Sequence, residues 1–106
     1  MTPTALLNLM EFIADEVHPD VQVSTLRSFL FVATRGTCTQ KEVEMHLKTT
    51  NGSASRNVSY WTDLKFDRSK GMGFIHRIED PTDRRMKSLS LTKKGQAFYD
   101  KLRGRM

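Results

Sequence analysis

The stretch Gly73-Phe74-Ile75-His76-Arg77-Ile78-Glu79-Asp80-Pro81-Thr82-Asp83-Arg84-Arg85-Met86-Lys87-Ser88-Leu89-Ser90-Leu91-Thr92-Lys93-Lys94-Gly95 decides the fold. It reads as a strand, a charged tip, a second strand and a capped helix start. Phe74, Ile75 and Ile78 precede the tip, and Leu89 and Leu91 alternate with Ser88 and Ser90 after it. Asp80-Pro81 opens the turn, because proline presets a turn φ and aspartate bonds its own backbone. Arg84, Arg85 and Lys87 then form a cationic finger between the strands. Taken alone, the hairpin has two readings. It suits a nucleic-acid groove, where phosphates attract cations and the narrow side favours guanidinium groups. It also suits a solvated hairpin whose charges block edge pairing.

The length of 106 residues fits a single domain, 1–106, that can bury a modest core without staples. No apolar run approaches the ~20 residues needed to span a bilayer, and no secretory signal pattern opens the chain. The one cysteine, Cys38, has no internal disulfide partner, so a reducing cytoplasm is the expected compartment. The net charge of +5 is unevenly spread. Residues 1–55 hold four Lys/Arg against six Asp/Glu (−2), and residues 56–106 hold thirteen against six (+7). A basic half joined to a mildly acidic half points to a polyanion. The basic residues lie on no long amphipathic helix with an aromatic face, which favours nucleic acid over a membrane surface.

Thr2-Pro3 begins a helix with an N-cap and a proline at the first helical position. Over 1–17 the apolar residues, including Leu6, Leu7, Leu9, Met10, Phe12 and Ile13, cover roughly 220° of the helix surface. That surplus points to a partner helix from a second copy, or to a small domain wrapped around this helix. His18-Pro19 ends it. A second helix is expected from about Ser24 to Arg35, stopped by Gly36. Thr39-Gln40-Lys41-Glu42 is a capping box that opens a third helix. After the turn Thr49-Thr50-Asn51-Gly52, Ser53 is expected to start a fourth helix running to about Lys65. Its buried stripe is Ala54, Val58 and Trp61; its outward face carries Ser53, Arg56, Ser59 and Tyr60, with Ser55 and Asn57 at the edges. Residues 39–65 therefore read as a helix-turn-helix. A polar connector, 66–72, leads to the hairpin, and a last helix from Thr92 packs Ala97, Phe98 and Leu102. The expected fold is mainly α with a small β hairpin (α+β), in the order α-α-α-α-β-β-α: a winged helix-turn-helix with its wing at 73–91.

At this point residues 24–100 resemble the MarR family of winged-helix transcription regulators. The resemblance rests on Thr39-Gln40-Lys41-Glu42-Val43, on Ala54-Ser55-Arg56, and above all on the wing. There Gly73-Phe74-Ile75, Arg77, Asp80-Pro81-Thr82-Asp83-Arg84-Arg85 and Leu91-Thr92-Lys93-Lys94-Gly95 stand at fixed spacing over 23 positions. It implies a homodimer that binds a pseudo-palindromic double-stranded DNA site and usually represses transcription. It also implies a recognition helix in the major groove and a wing tip in the minor groove. The wing arginine carries over to Arg85 and the acidic residue that orients it to Asp83, with Arg84 as the alternative inserting residue. The sequence departs from the family in three ways. The connector from Trp61 to Gly73 is longer, the long C-terminal dimerising helices are missing, and with them go most of the walls of the effector crevice. Dimerisation is therefore expected through Leu6, Leu7, Leu9, Met10, Phe12 and Ile13, and no small-molecule effector is expected.

On this reading Ser53, Ser55, Arg56, Asn57, Ser59 and Tyr60 face the major groove, where arginine reads guanine and asparagine reads adenine. Asp83, Arg84, Arg85 and Lys87 form the wing site. Thr39, Arg68, Lys70, Lys93 and Lys94 are expected at phosphates. No cofactor and no metal is expected, since His18, His46 and His76 are scattered. No enzyme is expected either: no nucleophilic triad, phosphate-cradling loop or positioned carboxylate pair occurs. Cys38 reads as a small residue before a helix, with a redox switch as the competing reading because Arg35 and Lys41 are near in sequence. The rival function is a winged-helix protein-interaction module, such as a small viral or mobile-element factor, without sequence-specific DNA readout.

Overall fold

The computed structural model describes residues 1–106. The elements are α1 (Pro3–Glu16), α2 (Val23–Arg35), β1 (Thr37–Thr39), α3 (Gln40–Leu47), α4 (Asn51–Ser59), β2 (Ile75–Glu79), β3 (Lys87–Leu91) and α5 (Lys93–Arg103). The chain thus has an α+β winged helix-turn-helix architecture, with one strand more than expected. β1 pairs antiparallel with β3, which also pairs with β2, giving the sheet order β1-β3-β2. Cys38 lies opposite Leu89, and Arg77 lies opposite Leu89 on the other side. A three-residue strand carries too little alternation to be read from pattern; its partner across the sheet creates it.

Four helices are capped by a threonine. Thr2 Oγ1 accepts from the Ala5 amide at 3.1 Å. Thr39 and Glu42 form the expected reciprocal box: Thr39 Oγ1 accepts from the Glu42 amide at 3.1 Å, and Glu42 Oε1 accepts from the Thr39 amide at 2.9 Å. The Thr39 amide foremost, and the Thr39 hydroxyl that also donates to Glu42 Oε1 at 3.2 Å, hold the Glu42 carboxyl below its usual pKa. Thr92 Oγ1 accepts from the Gly95 amide. The fourth cap corrects the sequence reading. Thr50, not Ser53, caps α4, and its Oγ1 accepts from the Ser53 amide at 3.1 Å. The helix ends at Ser59 rather than Lys65, where Trp61 and Thr62 close two short turns onto Val58 and Ser59.

The core is an aromatic cluster. Phe29 of α2 is fully buried, and its ring centroid lies 4.9 Å from Trp61, 5.9 Å from Phe74, 5.5 Å from Phe98 and 6.4 Å from Tyr99. Phe12 of α1 stacks on Phe98 at 5.7 Å. Trp61, on the expected apolar stripe, also donates its Nε1–H to the Thr25 carbonyl at 2.7 Å, as a buried indole requires. Two further expectations change. Phe12 and Ile13 are buried in this chain's own core and Leu9 packs against it, so of the apolar set on α1 only Leu6, Leu7 and Met10 stay exposed. Ala97 is exposed, and α5 packs through Phe98 and Leu102, as expected, with Gly95 buried beside them.

Gly95 brings the start of α5 against the wing. A Cβ there would lie 2.0 Å from the Phe74 carbonyl oxygen, a backbone atom with no freedom to move aside. Gly95→Ala is accordingly expected to destabilise the fold by about 1–3 kcal/mol or more, read as a lowered urea midpoint with an unchanged slope.

Candidate nucleic-acid interface

α3 and α4 form the helix-turn-helix, and the β2–β3 hairpin follows as the wing. The earlier start of α4 alters which side chains it exposes. Arg56 is exposed, with Asn51 and Gly52 in the first turn, and Ser53 and Ser55 are half-buried. Asn51 escaped the sequence reading because Asn-Gly is a strong turn signal, and Thr50 lacks the Glu or Gln three residues on that completes a capping box. Asn57 is half-buried, and its Oδ1 accepts from Thr25 Oγ1 at 2.8 Å, tying α4 to α2. Tyr60 is half-buried against Trp61, and burial raises its phenol pKa.

Ser59 is the clearest correction. Expected on the outward face, it is buried, 3% exposed, and its Oγ accepts from Arg77 Nη2 at 2.9 Å. Arg77 Nη1 donates to Oε1 of buried Gln40, also at 2.9 Å. One guanidinium therefore links β2 to both helices of the helix-turn-helix. Burial lowers the Arg77 pKa, against the favourable field of Glu79. Along β2 this residue takes an inward position beside Ile75, while Ile78 points out and is 53% exposed. An arginine between His76 and Ile78 gives no sign in sequence of being inward; the two neutral acceptors facing it decide that.

The wing tip is held by its own side chains. Asp80 Oδ1 accepts from the Thr82 amide at 2.8 Å and from Thr82 Oγ1 at 2.7 Å, bonds that lower its carboxyl pKa. Asp83 Oδ1 accepts from the Arg85 amide at 3.0 Å and from Arg85 Nε at 3.2 Å. The Arg85 side chain is 91% exposed. So open an ion pair adds little stability; its effect is to direct the guanidinium. Arg84 is exposed, and Lys87 is half-buried opposite Glu79. Lys93 and Lys94 are exposed in the first turn of α5, and Lys94 Nζ also lies 5.7 Å from the Phe74 ring centroid. Thr39 is occupied by its capping box.

The connector is an ordered loop. Leu64 bridges Lys70, the Lys65 amide donates to the Ser69 carbonyl at 2.8 Å, and Arg68 adopts a left-handed φ of 70°. Between this loop, the end of α4 and β2 lies a groove of about 650 Å³. Lys65, Arg68, His76 and Arg77 line it with a single carboxylate, Asp63. Arg68 and Lys70 are exposed on the loop. Cys38 lies outside this surface: it is buried, and burial with the field of Glu42 pushes its thiol up to about 11, against the opposing field of Arg35.

Two outcomes follow from this geometry. Arg77→Met should leave Gln40 and Ser59 buried without their donor and cost about 1–3 kcal/mol in chemical denaturation. Cys38 should resist iodoacetamide at pH 8, because the thiolate is the nucleophile, and should react once the protein is unfolded.

No family model and no curated protein matches the sequence. Solved structures do match the fold. A cysteine-to-serine mutant of MarR from Escherichia coli complexed with operator DNA matches with a TM-score of 0.63 at 16% identity, covering 95% of this chain and 67% of that one. FabT from Streptococcus pneumoniae in complex with DNA matches with 0.67 at 19% identity, covering 95% and 64%. A MarR-like transcriptional regulator from Thermotoga maritima matches with 0.66 at 24% identity, covering 99% and 75%. The chain spans about two thirds of the length of the first two structures. With its helix-turn-helix, three-stranded sheet and wing in the same arrangement, this chain has the MarR-like winged-helix fold.

Proposed function

We propose that this protein is a sequence-specific, double-stranded-DNA-binding transcription regulator that acts as a dimeric repressor, with α4 in the major groove and the wing in the minor groove. The observation that carries this reading is the wing tip. Arg85 projects into solvent on a hairpin whose tip is closed by Asp80 and Asp83, its guanidinium directed by Asp83, and the hairpin is tied to α4 by Arg77. An isolated cation on a flexible loop would need no such anchoring. The basic half adds support, since thirteen of the seventeen Lys/Arg lie in residues 56–106. Lys93 and Lys94 sit where the helix dipole disfavours cations, a position a phosphate would relieve. The fold likeness to MarR and FabT, each in complex with DNA, supports the same reading.

In this assignment Arg56 reads a base, Ser53 and Ser55 make permissive contacts, and Asn57 and Tyr60 lie at the edge. Arg84, Arg85 and Lys87 serve the minor groove, and Arg68, Lys70, Lys93, Lys94 and the α3 amides near Thr39 serve phosphates. Ser59 is given no groove contact, because its hydroxyl is spent on Arg77. Leu6, Leu7 and Met10, exposed on α1, form the subunit contact.

Selection of bound sites from a random duplex library should return a palindromic motif with half-sites about 34 Å apart. Affinity for that site should fall steeply, roughly a thousand-fold between about 50 and 200 mM salt. Arg85→Ala should weaken binding to all duplexes, and Arg56→Ala should lose about 1–3 kcal/mol of discrimination at one base per half-site. A library that returns no motif, or affinity indifferent to salt and to both substitutions, overturns the assignment.

A further inference from the structure

Arg56 takes part in none of the chain's three ion pairs. Its partner is an aromatic ring: the guanidinium carbon lies 5.0 Å from the centroid of Phe66. Phe66 is 65% exposed, so burial in the core does not explain where it stands. Its ring is instead partly covered by a cation from the helix beside it. The loop that carries the ring is anchored at several points. Thr62 Oγ1 donates to the Leu64 carbonyl at 2.8 Å, and Asp67 Oδ1 accepts from the Ser69 amide at 2.9 Å. The Gly71 amide donates to the Asp63 carbonyl at 3.0 Å, and the Met72 amide donates to the Tyr60 carbonyl at 3.1 Å. A second cation–ring contact lies alongside, with Lys65 Nζ 4.8 Å from the Tyr60 centroid. The loop therefore folds back on the C-terminal half of α4 and holds Phe66 as a platform rather than trailing it in solvent.

A guanidinium over a ring face is attracted by the ring quadrupole. It also reaches its hydrogen-bond partner with fewer conformations left to lose, which is how preorganisation raises affinity. The planar donor fork of arginine reads guanine only when the plane is correctly turned, and a stacking surface restricts that plane.

We propose that Phe66 is a positioning residue that sets base specificity through Arg56, the connector loop serving as its rigid mount; this rests on the reading of α4 as a DNA-recognition helix. Phe66 acts on one base pair per half-site, the one that Arg56 reads. The loop is thus a specificity element and more than a spacer between helix and wing.

The test uses the whole chain and has one arm without DNA and one with it. In the free protein, the Arg56 Nε–H resonance should carry an upfield ring-current shift in NMR spectra that disappears in Phe66→Ala and persists in Phe66→Trp. Absence of that shift in the unsubstituted protein overturns the platform whether or not DNA is bound, so it fails separately from the DNA-binding reading. With the duplex selected by the unsubstituted protein, Phe66→Ala should reduce discrimination by about 2–5-fold at the same base that Arg56→Ala affects. Phe66→Trp should restore it, and Phe66→Ala should have no further effect when Arg56 is already alanine. A uniform loss over all base positions, or a loss that persists in the Arg56→Ala background, would assign the loop a purely structural role and overturn the inference.

Discussion

The structure depends on a single cluster of aromatic rings centred on Phe29. The rings that meet it come from the turn after α4, the lead-in to β2 and two successive positions of α5, and Phe12 brings in α1 through Phe98. Rings of this size dominate the burial of a small domain and favour offset or edge-on contacts that restrict how neighbours turn. A chain of 106 residues has no second core with which to compensate. The orientation of the helix-turn-helix and the wing is therefore a consequence of how five aromatic side chains pack beneath them. Trp61 shows the link most directly. It ends the turn after α4, fills the core, and through its indole N–H fixes the start of α2.

On top of that core, polar contacts set finer relations. Arg77 connects the wing to α3 and α4 through Gln40 and Ser59. Its charge is costly to bury and has no carboxylate within ion-pair distance, so the two neutral acceptors must satisfy it. Such a contact is a poor source of stability and a good source of geometry, because only one arrangement of the three elements supplies both acceptors. At the exposed tip the same logic recurs at lower stakes, with Asp83 directing Arg85 and Asp80 closing the turn.

Much of this was legible in the residues. The hairpin, the capping box at Thr39 and Glu42, the proline start of α1 and the Ala54, Val58 and Trp61 stripe are local signals. Each rests on atoms within a few residues of one another. The errors cluster where a distant partner decides. β1 exists because β3 lies beside it. α4 is capped by Thr50 and begins at Asn51 rather than Ser53, since its Asn-Gly first turn imitates a loop. Ser59 is inward because Arg77 arrives from a strand eighteen positions away. Phe12 and Ile13 belong to this chain's own core because α5 supplies Phe98 on one side of α1. The connector's polarity reads as a spacer, yet its cross-bridge and cation–ring contacts fold it onto α4.

Local sequence is enough for the order of elements, the helix-turn-helix followed by a charged wing, and the concentration of positive charge in the second half. Those follow from periodicity, capping chemistry and composition, which act over short distances. Which polar residues remain available at the surface is set by long-range packing. Ser59 and Asn57 are engaged with other elements, while Arg56 is left free of carboxylates and set over Phe66. A side chain's availability depends on what the rest of the chain brings within hydrogen-bonding or stacking distance, and no local spacing encodes that.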